Sequence, residues 1–145
     1  MDFSKFDKQV DLEGLKKDIE DSANNDFKEV PHGNYEVAIN KLELGESKKG
    51  DPMVKIWFKV VSGEYKGSLI FMNQVITKGF QIHIVDELLR SLETDIEISF
   101  ESYSQYNELL MDIFDAVDGN YEYGLKYGEN KGFDTFEITE VFELD

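Results

Sequence analysis

Cysteine is absent from all 145 residues. That removes disulfides, thiolate nucleophiles and cysteine-ligated zinc together, and it suits a reducing compartment. Histidine occurs twice, and two isolated histidines without cysteine make a poor metal site. Basic residues are scarce: 15 Lys and Arg stand against 31 Asp and Glu, a formal net charge of −16. No run of about 18 apolar residues exists, so no transmembrane helix is expected. The opening Met1-Asp2-Phe3-Ser4-Lys5 carries no apolar stretch of the kind a signal peptide needs. These absences lead us to expect a cytoplasmic protein with no membrane contact and no cofactor.

What remains is ordinary for a folded protein. Apolar residues make up 41% and aromatics 13%, enough to bury a core in one domain. The charge is unevenly spread. Residues 33–80 hold seven Lys and five acids, a balance of +2. Residues 1–32 hold five Lys and nine acids, a balance of −4, and residues 81–145 hold three basic and seventeen acidic side chains, a balance of −14. One third of the chain is therefore mildly basic within an acidic whole. Acid spread over a surface also keeps a protein soluble, and that plain explanation stands beside any functional one.

Residues 1–30 read as an N-terminal arm with one short helix. Asp11 is placed to cap it, and Leu12, Leu15 and Ile19 share one face. Residues 31–145 read as the main domain. Tyr35, Val37 and Ile39 alternate inward, then the phase slips to Leu42 and Leu44, which predicts a bulge in a long, bent first strand. Val54, Ile56, Phe58 and Val60 mark a second strand, and Ser68 to Val75 a third. A helical insert spans about 79–118. Its first helix repeats Phe80, Ile84, Leu88 and Leu92, and its second carries Tyr106, Leu109, Leu110, Ile113 and Val117, with Ser102 or Ser104 as cap. Asp95 to Phe100 reads as a short strand or an extended link. Tyr121, Tyr123, Leu125 and Tyr127 share a face of the fourth strand, which suits sheet packing. Residues 128–132 read as a hairpin turn, with the fifth strand after it. The fold class is mainly β with α: an OB-like five-stranded barrel with a helical insert between strands 3 and 4.

Lys55-Ile56-Trp57-Phe58-Lys59 carries the strongest functional signal. In a strand alternate side chains point to opposite faces. Ile56 and Phe58 go to the core, and Lys55, Trp57 and Lys59 point outward together. A ring flanked by cations is what a base and its phosphates require. Phe71 and Asn73 are placed to lie beside this row. Lys48 and Lys49 fall in the first turn, and Tyr65 and Lys66 in the second. The competing arrangement is a covered sheet, with Trp57 packed beneath the N-terminal segment or the inserted helices.

Catalysis finds little support. His32 sits in a Pro-His-Gly turn, which reads as surface, and His83 begins a helix, which reads as packed or capping. Asp112, Asp115 and Asp118 fit a solvated acidic face better than a divalent-ion site. Phosphate loop, dinucleotide fingerprint and nucleophile elbow are all missing. The end Glu140-Val141-Phe142-Glu143-Leu144-Asp145 reads either as the end of the last strand or as a short partner-binding tail.

Several runs, in order, resemble a phage and prophage family of unknown function from Gram-positive bacteria. They are Phe3-Ser4-Lys5-Phe6-Asp7, Lys48-Lys49-Gly50-Asp51-Pro52-Met53, Ile56-Trp57-Phe58-Lys59, Gly63-Glu64-Tyr65-Lys66-Gly67, Phe71-Met72-Asn73-Gln74 and Gly79-Phe80-Gln81-Ile82-His83. The resemblance implies an OB-like fold, a bacterial host cytoplasm, and single-stranded DNA binding in phage replication or recombination, with no catalytic residues to transfer. The expectation is thus a non-enzymatic single-stranded DNA-binding protein using Trp57, Lys55, Lys59, Phe71, Tyr65, Lys66, Lys48 and Lys49, with phage replication or recombination proteins as partners for its acidic surfaces. The alternative is an acidic interaction module, or a DNA mimic that occupies a host enzyme's basic cleft.

Overall fold

The computed structural model describes residues 30–144. The expected N-terminal helix lies outside the described residues. Five strands and two helices follow in the order β1 (Gly33–Glu46), β2 (Pro52–Val60), β3 (Leu69–Val75), α1 (Gly79–Ser91), α2 (Tyr103–Val117), β4 (Tyr121–Asn130) and β5 (Phe133–Glu143). The strands form one antiparallel sheet in the order β3-β2-β1-β4-β5.

β1 organises the sheet because it serves two neighbours. Its first part, 33–37, pairs with β4, and from Val37 onward it pairs with β2. The predicted phase slip is a bulge: Ile39 faces Phe58 and Lys41 faces Trp57, leaving Asn40 extra. Ile39 and Leu42 can therefore both point inward, and both are buried. A second bulge lies between β4 and β5, where Gly124 faces Glu140 and Leu125 faces Ile138. There a Cβ on Gly124 would come within 2.8 Å of Thr139 Oγ1, so only glycine fits without a shift. The β4–β5 turn is tighter than the predicted five residues. It consists of Lys131 and Gly132, whose φ angles are +54° and +83°, the positive pair that matches strand twist in a two-residue hairpin.

The core lies between the inner face of the sheet and the helices. Val54, Ile56, Phe58 and Val60 are all fully buried, and burial of each stabilises the fold by roughly 1.5–3 kcal/mol. α2 packs across β1 with Tyr106, Leu110 and Ile113 turned in. Ser102 caps it, its Oγ accepting from the Gln105 N–H at 3.1 Å. At the start of α1, Gln81 Oε1 accepts from the N–H groups of Thr77 and Lys78 at 2.9 and 3.0 Å. The two fully buried tyrosines have hydroxyl partners: Tyr106 donates to Asp86 Oδ1 at 2.5 Å, and Tyr123 to the Leu92 carbonyl at 3.0 Å. Both hydroxyl pKa values are raised, first by burial; for Tyr106 the bond to Asp86 adds to the shift, and for Tyr123 the nearby Tyr121 does.

Two expectations need correction. The barrel is not closed: β3 and β5 are the two ends of the sheet and do not pair with each other. Only residues 76–78 join β3 to α1, so the helix starts at the end of β3 and lies against both β3 and β5, where closure would occur. The apolar repeat of α1 is also split. Val85, Leu88, Leu89 and Leu92 are buried, but Phe80 is 63% and Ile84 44% exposed. Of the two alternatives for 95–100, the structure has the extended link, without strand pairing and with Ile96, Ile98 and Phe100 packed against the core. The tyrosine row of β4 does pack into the structure: Tyr123 is fully buried, and Tyr121 and Tyr127 are partly so. The chain end continues as strand to Glu143, and the Leu144 N–H donates to the Asn120 carbonyl at 2.9 Å.

Candidate nucleic-acid interface

The outer faces of β1, β2 and β3 place side chains in rows set by the sheet register. One row runs Lys41, Trp57, Phe71. The next runs Glu43, Lys55, Asn73, and on the other side Ala38, Lys59 and Leu69 align. Trp57 is half-buried, between the two alternatives open from sequence: neither bare nor covered. Neither α1 nor α2 packs on β2 as its main partner; α2 crosses β1, and α1 flanks β3 and β5.

The ring of Trp57 is held on three sides. Phe71 meets it edge to face at 5.0 Å between centroids, and Phe71 itself is 40% exposed. The indole N–H donates to Asn73 Oδ1 at a long 3.4 Å. The Lys41 ammonium lies 3.8 Å from the ring centroid, a cation–π contact stabilising by about 0.5–1 kcal/mol at an exposed site. Lys41 Nζ also lies 3.6 Å from Glu43 Oε1. Any ring stacking on this face of the indole would have to displace Lys41. The sequence reading did not include Lys41 in the site. Its outward aim follows from the bulge at Asn40, and the phase slip was the available signal.

Lys55 and Lys59 stand on either side of Trp57, as the alternation implies. The stem of Lys55 passes over Gly45, whose added Cβ would lie 3.2 Å from Lys55 Cε. The missing side chain there makes room for the lysine. Lys48 and Lys49 are exposed in the β1–β2 turn, and Lys66 is exposed in the β2–β3 turn. These turns lie at opposite ends of β2, about 30 Å apart for nine residues of strand. Tyr65 is the exception. It is partly buried and meets Tyr35 edge to face at 6.1 Å, so it joins Tyr35 rather than the Trp57 row. Tyr35 donates its hydroxyl to the Pro31 carbonyl at 2.5 Å. Its pKa is raised by burial, then by Tyr65 and Glu64.

The chain belongs to the family described as Protein of unknown function (DUF669). The family profile matches residues 17–111. That span holds β1, β2, β3, α1 and the first part of α2, and so every residue of the Trp57 face and both flanking turns. β4 and β5 lie beyond it. Comparison with curated proteins finds no match.

The other chemistry-bearing residues of this DUF669 chain do not gather here. His32 is exposed, with Nε2 3.0 Å from Asp134 Oδ1 and its ring edge-on to Tyr127 at 4.7 Å. His83 is exposed on α1, neither packed nor capping as expected, because it falls outside the buried Val85, Leu88, Leu89 face and past the cap at Lys78. Asp112, Asp115 and Asp118 are all exposed. Among the described residues no group of three or more His, Asp or Glu is arranged to hold a metal ion, and no helix is long and apolar enough to cross a membrane.

Proposed function

We propose that this protein binds single-stranded DNA without catalysis, on the outer face of β2 and β3. The observation that carries the reading is the Lys41–Trp57–Phe71 row, with a partly exposed indole, an exposed phenyl beside it, and Lys55 and Lys59 flanking. Successive bases stack on Trp57 and Phe71, each stack contributing roughly 1–3 kcal/mol. Lys41, Lys55 and Lys59 neutralise phosphates beside the rings, and Lys48, Lys49 and Lys66 extend the path at its two ends.

The strand order supports this reading. A bulged β1 shared between two neighbours and the order β3-β2-β1-β4-β5 match the strand order of an OB-like barrel, although here β3 and β5 do not pair to close it. In such folds the face of strands 2 and 3 and the loop between strands 1 and 2 are the surfaces used for oligonucleotides; here that loop carries Lys48 and Lys49. The setting we assign, phage replication or recombination in a Gram-positive host, rests on the sequence resemblance. The negative total charge is compatible because the carboxylates concentrate elsewhere, on α2 and on β5 (Glu137, Glu140, Glu143).

Anisotropy of a fluorescein-labelled oligo-dT, titrated with protein at low salt, tests the reading. Saturable binding that weakens with salt is expected. No change in anisotropy at low salt contradicts it. The exposed carboxylates of α2 and β5 favour a second reading, an acidic module or DNA mimic. Capture of a nucleic-acid enzyme from host lysate, by a protein that itself binds no DNA, would establish that reading instead.

A further inference from the structure

The open seam of the sheet forms a groove of about 1160 Å³ between β3, α1 and the β4–β5 hairpin. Eight large apolar side chains are exposed among the described residues, and four of them, Phe71, Phe80, Ile84 and Phe133, line this groove. Apolar residues scattered singly need no explanation, but half of them gathered in one cleft do. Phe80 and Ile84 also belong to the helical repeat of α1 and yet find nothing to cover them. Phe133 is 76% exposed at the start of β5. Both walls are strand edges with unpaired backbone groups, the element most in need of a partner.

We propose that the N-terminal segment of the same chain, residues 1–29, seats its apolar face in this groove. The first argument is where that segment joins the fold. It enters at Val30, which is buried in the core, and His32 bonds to Asp134, itself part of the groove wall. The segment therefore enters the fold beside the cleft. The second argument is reach. Thirteen residues separate Ile19 from His32, an extended span of up to about 45 Å. β3 has seven residues, about 23 Å of edge, so any part of the groove is within range. The third is pattern: Leu12, Leu15 and Ile19 repeat at helical spacing, with Phe3 and Phe6 before them, and an amphipathic helix laid in an apolar groove is a recurrent mode of recognition. The rim carries Glu87, Asp134 and Glu137 beside Lys131, which disfavours a nucleic-acid strand, and the lysines of the segment, Lys5, Lys8, Lys16, Lys17 and Lys28, are the groups available to face those carboxylates. Phe71 belongs both to this groove and to the face proposed for DNA, but the docking rests on no DNA contact and its test contains none.

The native chain has no cysteine, so one can be introduced cleanly. In full-length Lys17→Cys, on the polar side of the predicted helix, a nitroxide label should broaden the backbone amide resonances of α1 and residues 130–138. Phe80→Asp with Phe133→Asp should abolish that broadening. These two side chains are exposed, and unchanged dispersion of the β1 and β2 amides would show that the fold is kept. No broadening at the groove, or broadening at the Trp57 row instead, overturns the proposal. Mixing spin-labelled protein with isotope-labelled, unmodified protein separates the sources. Equal broadening in the mixture assigns the groove to a second copy and also overturns it.

Discussion

Replacing Trp57 with alanine perturbs two quantities that can be measured apart. In the free protein the indole contributes an edge-to-face contact with Phe71 at 5.0 Å, about 0.5–1.5 kcal/mol. It also provides the surface beneath Lys41, 3.8 Å from the centroid, about 0.5–1 kcal/mol. The bond to Asn73 is long and partly solvated, and adds little. Trp57→Ala should therefore lower stability by about 1–2.5 kcal/mol, small enough to leave the protein folded. Trp57→Phe keeps a ring against Phe71 and should lose about half as much. Urea unfolding followed by circular dichroism measures both. DNA affinity should fall by about 1–3 kcal/mol in Trp57→Ala, roughly 5- to 150-fold, with Trp57→Phe in between. A stability loss under about 0.5 kcal/mol would mean the ring is not held as described. A folded Trp57→Ala protein with undiminished DNA affinity would refute its role as a stacking platform.

Other substitutions and conditions test the rest. Lys55→Gln with Lys59→Gln should lower the log–log salt slope of DNA binding by about 1.4, at about 0.7 per phosphate contact on a single strand; an unchanged slope would show that neither contacts a phosphate. Gly124→Ala should destabilise by about 1–3 kcal/mol through overpacking against Thr139, and Thr139→Ala should recover part of that loss; full stability in urea would contradict the bulge geometry. Tyr106 and Tyr123 have folded pKa values above the ordinary value of 10.0. Above that pH the unfolded chain releases protons that the folded one keeps, so stability is full below about pH 10 and falls above it. The slope should approach about 1.4 kcal/mol per pH unit for each tyrosine. Tyr106→Phe should halve it, and equal urea midpoints at neutral pH and pH 11 would contradict the burial of these hydroxyls.

The parts of the fold governed by local period were legible in the sequence. Val54 to Val60 alternate inward because β2 is a regular strand, and the slip between Ile39 and Leu42 marked a real bulge. The buried stripe of α2 followed its helical spacing. What escaped depended on distant geometry. Closure of the sheet turns on where a three-residue connection sends α1, which no periodicity encodes. The same placement decides that Phe80 and Ile84, apolar and in phase, stay exposed while Leu88 and Leu89 do not. At the candidate interface, the outward direction of Lys55, Trp57 and Lys59 was readable from alternation. The position of Lys41 over the indole was not, because it depends on β1–β2 register beyond the bulge. Tyr65 turned toward Tyr35 for a similar reason: a turn residue has no period to fix its face. Partial exposure of Trp57 could not be deduced from β2 alone, since it depends on what the neighbouring elements leave open.

Trp57 is the only tryptophan in the chain, and it sits at the centre of the face assigned to DNA. Its intrinsic fluorescence, titrated with poly-dT across a salt series, therefore reports on that face directly. Stacking should quench the emission in a saturable way, with affinity falling as salt rises. Emission unchanged by poly-dT at low salt would contradict the assignment.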